Sequence, residues 1–123
     1  MKFKDYFSKT FATSDNHYLQ SLKTHYYHAR KDDVMDACMK VLKQMKAIVR
    51  SVNDDYGEIV VDASSFSGTI IITALNYTEI ACDLSIITYN ILPSAKGKKI
   101  IEEFYSLLDK LVPLKGLGLH ASF

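Results

Sequence analysis

The sequence predicts an α+β domain, an antiparallel sheet of about five strands in the order β-α-β-β-β-β-α with two helices packed on one face. Three observations lead there. Three alternating apolar runs, Gly57 to Ala63, Thr69 to Leu75 and Glu79 to Asn90, are separated only by turn-forming residues. Two other segments, near Val34 and near Ile100, repeat apolar residues at the three-and-four spacing of an amphipathic helix. The chain has 123 residues and 48% apolar content, enough for one domain that buries roughly two-thirds of its unfolded surface.

Taken in order, residues 1–16 form a basic aromatic segment in which Phe3, Phe7 and Phe11 recur every four residues beside Tyr6, Lys2, Lys4 and Lys9. On a helix this stripe would suit a membrane surface or a docking partner. Burying three phenylalanines contributes roughly 5–9 kcal/mol, and ordering about ten residues costs a comparable amount. Docking on its own domain or on a neighbouring protein is therefore the stronger reading, and lipid contact through Phe3, Phe7 and Phe11 the weaker.

The domain proper is read as residues 17–116, with a flexible tail over 117–123. Leu22 to His28 alternates as a strand, placing His25 and Tyr27 on one face and Thr24, Tyr26 and His28 on the other. Asp32 or Asp33 opens a helix to about Met45 that buries Val34, Ala37, Cys38, Val41, Leu42 and Met45. Acids lie at its start and lysines towards its end, as the helix dipole favours. Ala47 to Asn53 is the next strand, turned by Asn53 to Gly57 into the three apolar runs.

In those runs Ile59, Val61, Ile70, Ile72, Ile80, Cys82, Leu84 and Ile86 form one face, and β-branched residues suit its pleat. The last helix, from Ser94 or Lys98 to about Val112, turns Ile100, Ile101, Phe104, Leu107, Leu108, Leu111 and Val112 inward until Pro113 and Gly116 stop it.

Composition narrows the function classes. Net charge is +1, and residues 1–31 hold six basic against two acidic side chains. That imbalance falls short of a nucleic-acid binder's basic field, and no recognition-helix or zinc-finger spacing accompanies it. No run approaches the ~18 apolar residues of a membrane span, and no signal peptide is recognisable. Cys38 and Cys82 fall on inward faces, as small core residues in a reducing cytoplasm would. The expected location is cytoplasmic.

No catalytic motif appears. His17, His25, His28 and His120 have no metal-ligand spacing, and no cofactor is implied. Asp62 and Asp83 share the outer sheet face, where nearby carboxylates would need a nucleophile or metal set to perform chemistry, and none is spaced for it.

Two helices, each with one apolar stripe, cover one face of a five-stranded sheet and leave the second to water, a ligand or a partner. On that face Val60, Ile71, Leu75, Ile87 and Tyr89 stand among threonines and aspartates, a mixture suited to self-association as a homodimer or to contact with another protein. The remaining candidate is the turn before the last helix, where Lys96, Lys98 and Lys99 sit against the dipole at about 0.3–1 kcal/mol each and would favour an anion. It is not a Walker loop, because Leu92 and Lys99 occupy positions that motif reserves for Gly and Ser or Thr.

The aromatic-basic start, Leu22 to Tyr27, Gly57-Glu58-Ile59 and Lys98 to Tyr105 together resemble a family of small bacterial cytosolic proteins without assigned activity, over most of the chain. That resemblance implies a fold and transfers no site residue. The element order also resembles helix-grip domains, which implies a pocket for a small apolar ligand between the C-terminal helix and the sheet. The primary expectation is a non-enzymatic interaction or self-associating domain, with a small-ligand carrier or anion binder as the alternatives.

Overall fold

The alternation between Gly57 and Asn90 produces three consecutive antiparallel strands, β4 (Glu58–Asp62), β5 (Phe66–Ala74) and β6 (Glu79–Tyr89). A computed structural model describes residues 8–14, 22–89 and 96–117. Ahead of the meander come β1 (Ser8–Ala12), β2 (His25–His28), α1 (Lys31–Gln44) and β3 (Ile48–Asn53); α2 (Lys96–Leu111) and β7 (Leu114–Leu117) follow it. The strands form one seven-stranded sheet in the order β3-β4-β5-β6-β2-β7, with β1 also against β6. The α+β class and the antiparallel sheet are as the sequence predicts.

β6 is the organiser, because its eleven residues serve two partners along one edge. β2 pairs with Glu79–Cys82 and β1 with Ser85–Tyr89. Where these two partners approach each other, a bridge from Ser14 to Lys23 links them.

Both helices lie on the face formed by Ile59, Val61, Ile70, Ile72, Ile80, Cys82, Leu84 and Ile86, all buried in one core cluster. From α1 come Val34, Met35, Ala37, Cys38, Val41 and Leu42. From α2 come Ile101, Phe104, Tyr105 and Leu108, each no more than 3% exposed.

Turn chemistry sets the hairpins. Asn53 accepts the Tyr56 amide through its side chain, and Gly57 takes a positive φ of 65°. In the next hairpin Asn76 accepts the Thr78 amide, an Asx turn of the kind that asparagine favours. α1 ends with Lys46 at φ 60° and the Ala47 amide bonded back to the Leu42 carbonyl, a left-handed termination.

Four expectations need correcting. The sheet has seven strands and not five. Ser8–Ala12, read from its aromatic spacing as part of a separate segment, is a strand whose Phe11 packs on the core and against Gly97. Leu117, placed at the start of a flexible tail, ends a further strand, Leu114–Leu117, that pairs with β2; residues 118–123 lie outside the described residues. Helix phase also differs by one position in α2, where Tyr105 is buried and Leu111 is 46% exposed.

β3 is an outer strand paired on one side only, to β4. Val49 opposes Val61 and Ser51 opposes Val60, so Arg50 is an extra residue that forms a bulge.

Candidate functional site

The uncovered face is built by the odd-numbered positions of β5 and β6 and the even-numbered positions of β4. Register places Ile71 between Glu58 and Asp83, Thr69 between Val60 and Ser85, and Ser67 between Asp62 and Ile87. Ile71 and Ile87 are each 36% exposed and Leu75 is 51% exposed, whereas Val60 is half-buried. The side chain of Tyr89 lies outside the described residues. Near β2 this face closes over, as Tyr26 and Ala81 pair across the strands and are both buried.

Asp62 and Asp83 do not meet. They oppose Ser67 and Ile71, positions about 13 Å apart along β5 at ordinary strand rise. Asp62 instead holds Arg50 at 3.2 Å. At that spacing these two carboxylates cannot act together as an acid–base pair.

Asp83 has a different task, which sequence reasoning missed. Its Oδ1 accepts the hydroxyls of Thr13 and Thr24, each at 2.6 Å. Those threonines stand where the chain leaves β1 and enters β2, so the carboxylate bridges the break in the edge beside β6. Thr13 Oγ1 in turn accepts the Leu84 amide at 3.0 Å, and Tyr105 donates its hydroxyl to the Cys82 carbonyl at 2.6 Å. An aspartate inside an otherwise apolar strand was the available signal; its partners are far away in sequence.

A second polar group adjoins the first. Asp109 of α2 accepts the Tyr27 hydroxyl at 2.6 Å and lies 3.0 Å from His25 Nδ1. The His25 ring stacks on Tyr105 with centroids 3.5 Å apart. His25 is buried and His28 exposed, in line with their opposite faces. Among the described residues no buried side-chain nitrogen or oxygen lacks a partner, and no group of His, Cys, Asp and Glu is arranged to hold a metal ion. The network therefore fastens α2 and the broken edge to β6, with its polar atoms engaged by one another.

Burial, followed by the proximity of Cys82 and the hydrogen bond to Asp109, pushes the Tyr27 phenol far above its ordinary range. The native state thus binds this proton more tightly than the unfolded chain does. That part of the stability is complete below about pH 10 and is lost as pH rises beyond it. Circular dichroism should show cooperative alkaline unfolding above about pH 10, with a shallower dependence in Tyr27→Phe; equal slopes for both proteins would contradict this role. The Cys82 thiol is pushed up as well, by its hydrogen bond with Cys38 and by burial, which suits a packed, unreactive core thiol.

Lys96, Lys98 and Lys99, expected in a turn before the last helix, fall within its first turn, where Lys98 pairs with Glu102 at 2.9 Å and Lys99 is exposed. The Lys96 side chain and residues 90–95 lie outside the described residues. Two open grooves flank the start of α1. One, of about 510 Å³, runs between Arg30 and the α1 residues Asp33, Asp36 and Lys40 on one side and Leu111 and Pro113 at the end of α2 on the other. The other, of about 400 Å³, lies between Arg30, Lys31 and the β5–β6 turn at Asn76 and Tyr77. Each mixes charges of both signs and selects no ligand chemistry.

Phe3, Phe7, His17 and His120 lie outside the described residues. Among the described residues no helix is long and apolar enough to cross a membrane. Comparison with protein-family models and with curated proteins found no match.

Proposed function

We propose that this chain is a non-enzymatic protein-interaction domain of the cytoplasm that uses the uncovered face of its sheet to dock another protein chain. The supporting observation is the asymmetry of the sheet: both helices pack on one face, and the other presents Ile71, Leu75 and Ile87 to solvent. Ile71 and Leu75 stand four residues apart, and threonines, serines and Asp83 lie among these side chains, the mixed polar and apolar composition of a non-obligate protein interface. The packed thiols Cys38 and Cys82 suit a reducing compartment.

Packing beneath α2 weighs against the carrier. Phe104 and Leu108, where an apolar ligand would lie, are 1% and 0% exposed and contribute to the continuous core. The anion reading of Lys96, Lys98 and Lys99 loses one of its cations to Glu102.

Photo-cross-linking from position 75, on the same face, tests the proposal. A discrete adduct with another protein chain is expected, and it should vanish in an Ile71→Lys, Ile87→Lys variant that keeps its stability to within about 0.5 kcal/mol per change, as surface substitutions do. Absence of any adduct from positions 71, 75 and 87 would remove this face as a docking surface. Loss of several kcal/mol in the variant would show instead that the isoleucines serve the fold.

A further inference from the structure

The edge of the sheet carries a separate feature. β3 runs along the outside of β4, with Ile48 59% exposed and Val52 43% exposed. Val52 opposes Ile59, a core residue, so it points to the helix side of the sheet and yet remains uncovered. Backbone groups on the free side of an edge strand are a template for another strand, and proteins blunt such edges with bulges and charges. β3 has both, at Arg50.

The bulge also selects a partner. In an unbroken strand side chains alternate strictly, but the extra residue shifts the alternation at Arg50. Val49 and Val52 consequently face the helices, as their partners Val61 and Ile59 do. Ile48, Ser51 and Asn53 face the other way with Asp62, Val60 and Glu58, and Arg50 reaches Asp62 on that same side.

Suppose a second β3 is laid antiparallel beside the first about a two-fold axis, where opposed residues must share a face. With Arg50 opposite Ser51, every pair agrees: Val49 meets Val52 on the helix side, and Ile48 meets Asn53 on the other. Sliding by one residue in either direction opposes side chains that point to different faces. The ladder stops at the strand ends, where the chain turns at Lys46 and at Asp54 and Asp55, and the same two-fold axis sets the Lys46 turn of one copy beside the Asp54–Asp55 turn of the other. Lys46, Asp54 and Asp55 are exposed, and among the described residues Lys46 and Asp55 make no ion pair.

We propose that two copies of this chain pair β3 to β3 in that register and extend the sheet across a two-fold axis. Val49 and Val52 of the two copies cover one another on the helix side, Arg50 of each keeps its own Asp62, and Lys46 of each stands beside the Asp54–Asp55 turn of the other copy. The bulge that obstructs an unrelated strand thereby favours a copy carrying the same bulge. This concerns the edge and not the face, so the docking proposal above stands or falls separately.

Charge exchange tests it. Light scattering of the wild-type chain over a concentration series should reveal a monomer–dimer equilibrium at low salt. Lys46→Asp alone and Asp55→Lys alone each set two like-charge contacts in their own homodimer and should weaken dimerisation about tenfold. Aspartate tolerates the positive φ of position 46, which protects the fold of that variant. Mixing the two variants restores both contacts in the heterodimer, so the mixture should dimerise like wild type although neither component does. A wild-type chain monomeric up to about 1 mM would overturn the proposal. So would a dimer indifferent to both substitutions, or a mixture no tighter than its components. Loss of dimer in Ile71→Lys, Ile87→Lys with no response at Lys46 or Asp55 would move self-association to the face.

Discussion

Replacing Gly57 by alanine is expected to cost the protein about 3–5 kcal/mol, which is a large share of the stability of a domain this size. Two effects add. The residue sits at φ 65°, where a side chain strains the backbone by about 1–2 kcal/mol. A Cβ there would also stand 2.0 Å from the Ile72 carbonyl oxygen and 3.1 Å from its carbon. That neighbour is main chain in β5, and the Ile72 amide donates to the Gly57 carbonyl at 2.7 Å, so it cannot yield without breaking the pairing. Thermal melts of Gly57→Ala and of Gly68→Ala separate the two effects. Gly68 has no positive φ but has the Ser85 carbonyl at 2.7 Å from its would-be Cβ. If Gly57→Ala melted within a degree or two of wild type, close approach and strain would both be wrong.

The turn that Gly57 makes also shows what the sequence could reveal. Asn53 to Gly57 is legible because a side-chain amide and a glycine act within five residues, and the alternation on either side fixes β4 to β6 without knowledge of anything distant. The helices are legible for the same reason, since Val34, Cys38, Val41 and Leu42 repeat locally.

β1 and β7 were not legible, because Ser8–Ala12 and Leu114–Leu117 are short, carry no sustained alternation and are strands only by virtue of the β6 and β2 edges beside them. Tyr105 escaped notice as a core residue for a related reason. Its hydroxyl would be costly to bury alone, and only the fold supplies the Cys82 carbonyl that accepts it.

The uncovered face was visible as a face, but its limits were not. Counting stripes on two helices leaves one side of the sheet open, and the structure has both helices on one side. Which residues of the open side meet solvent depends on register: Ile71 and Ile87 do, while Ala81 is sheltered opposite Tyr26. The exposed edge required more still. Only the offset between Val49 and Ser51 shows that Val49 and Val52 look the same way, and a bulge cannot be counted from a run of six residues.

Asp83→Ala is expected to be the most damaging change among the polar residues, at about 3–5 kcal/mol. The carboxylate accepts two hydroxyls at 2.6 Å, and charge-assisted bonds of that length contribute roughly 1.5–3 kcal/mol each. Thr24 is 2% exposed and Thr13 8%, so neither hydroxyl recovers water when its acceptor is removed. Thr13 must also stay in place to accept the Leu84 amide; its displacement would leave a buried main-chain donor unsatisfied. The Asp83→Asn change keeps one side-chain oxygen able to accept both hydroxyls, so it should lose only about half as much as the alanine change.

Location distinguishes this loss from a general weakening. Amide exchange should accelerate first in β1 and in the start of β2, whose joint attachment to β6 the carboxylate secures, while β3, β4 and β5 keep their protection. Thr13→Val and Thr24→Val should each be weaker than Asp83→Ala, and the double-mutant cycles should couple both threonines to Asp83. Additivity in either cycle would sever that threonine from the clamp. Uniform loss of protection across β3 to β6 would make Asp83 a contributor to the whole sheet and not the fastening of its divided edge.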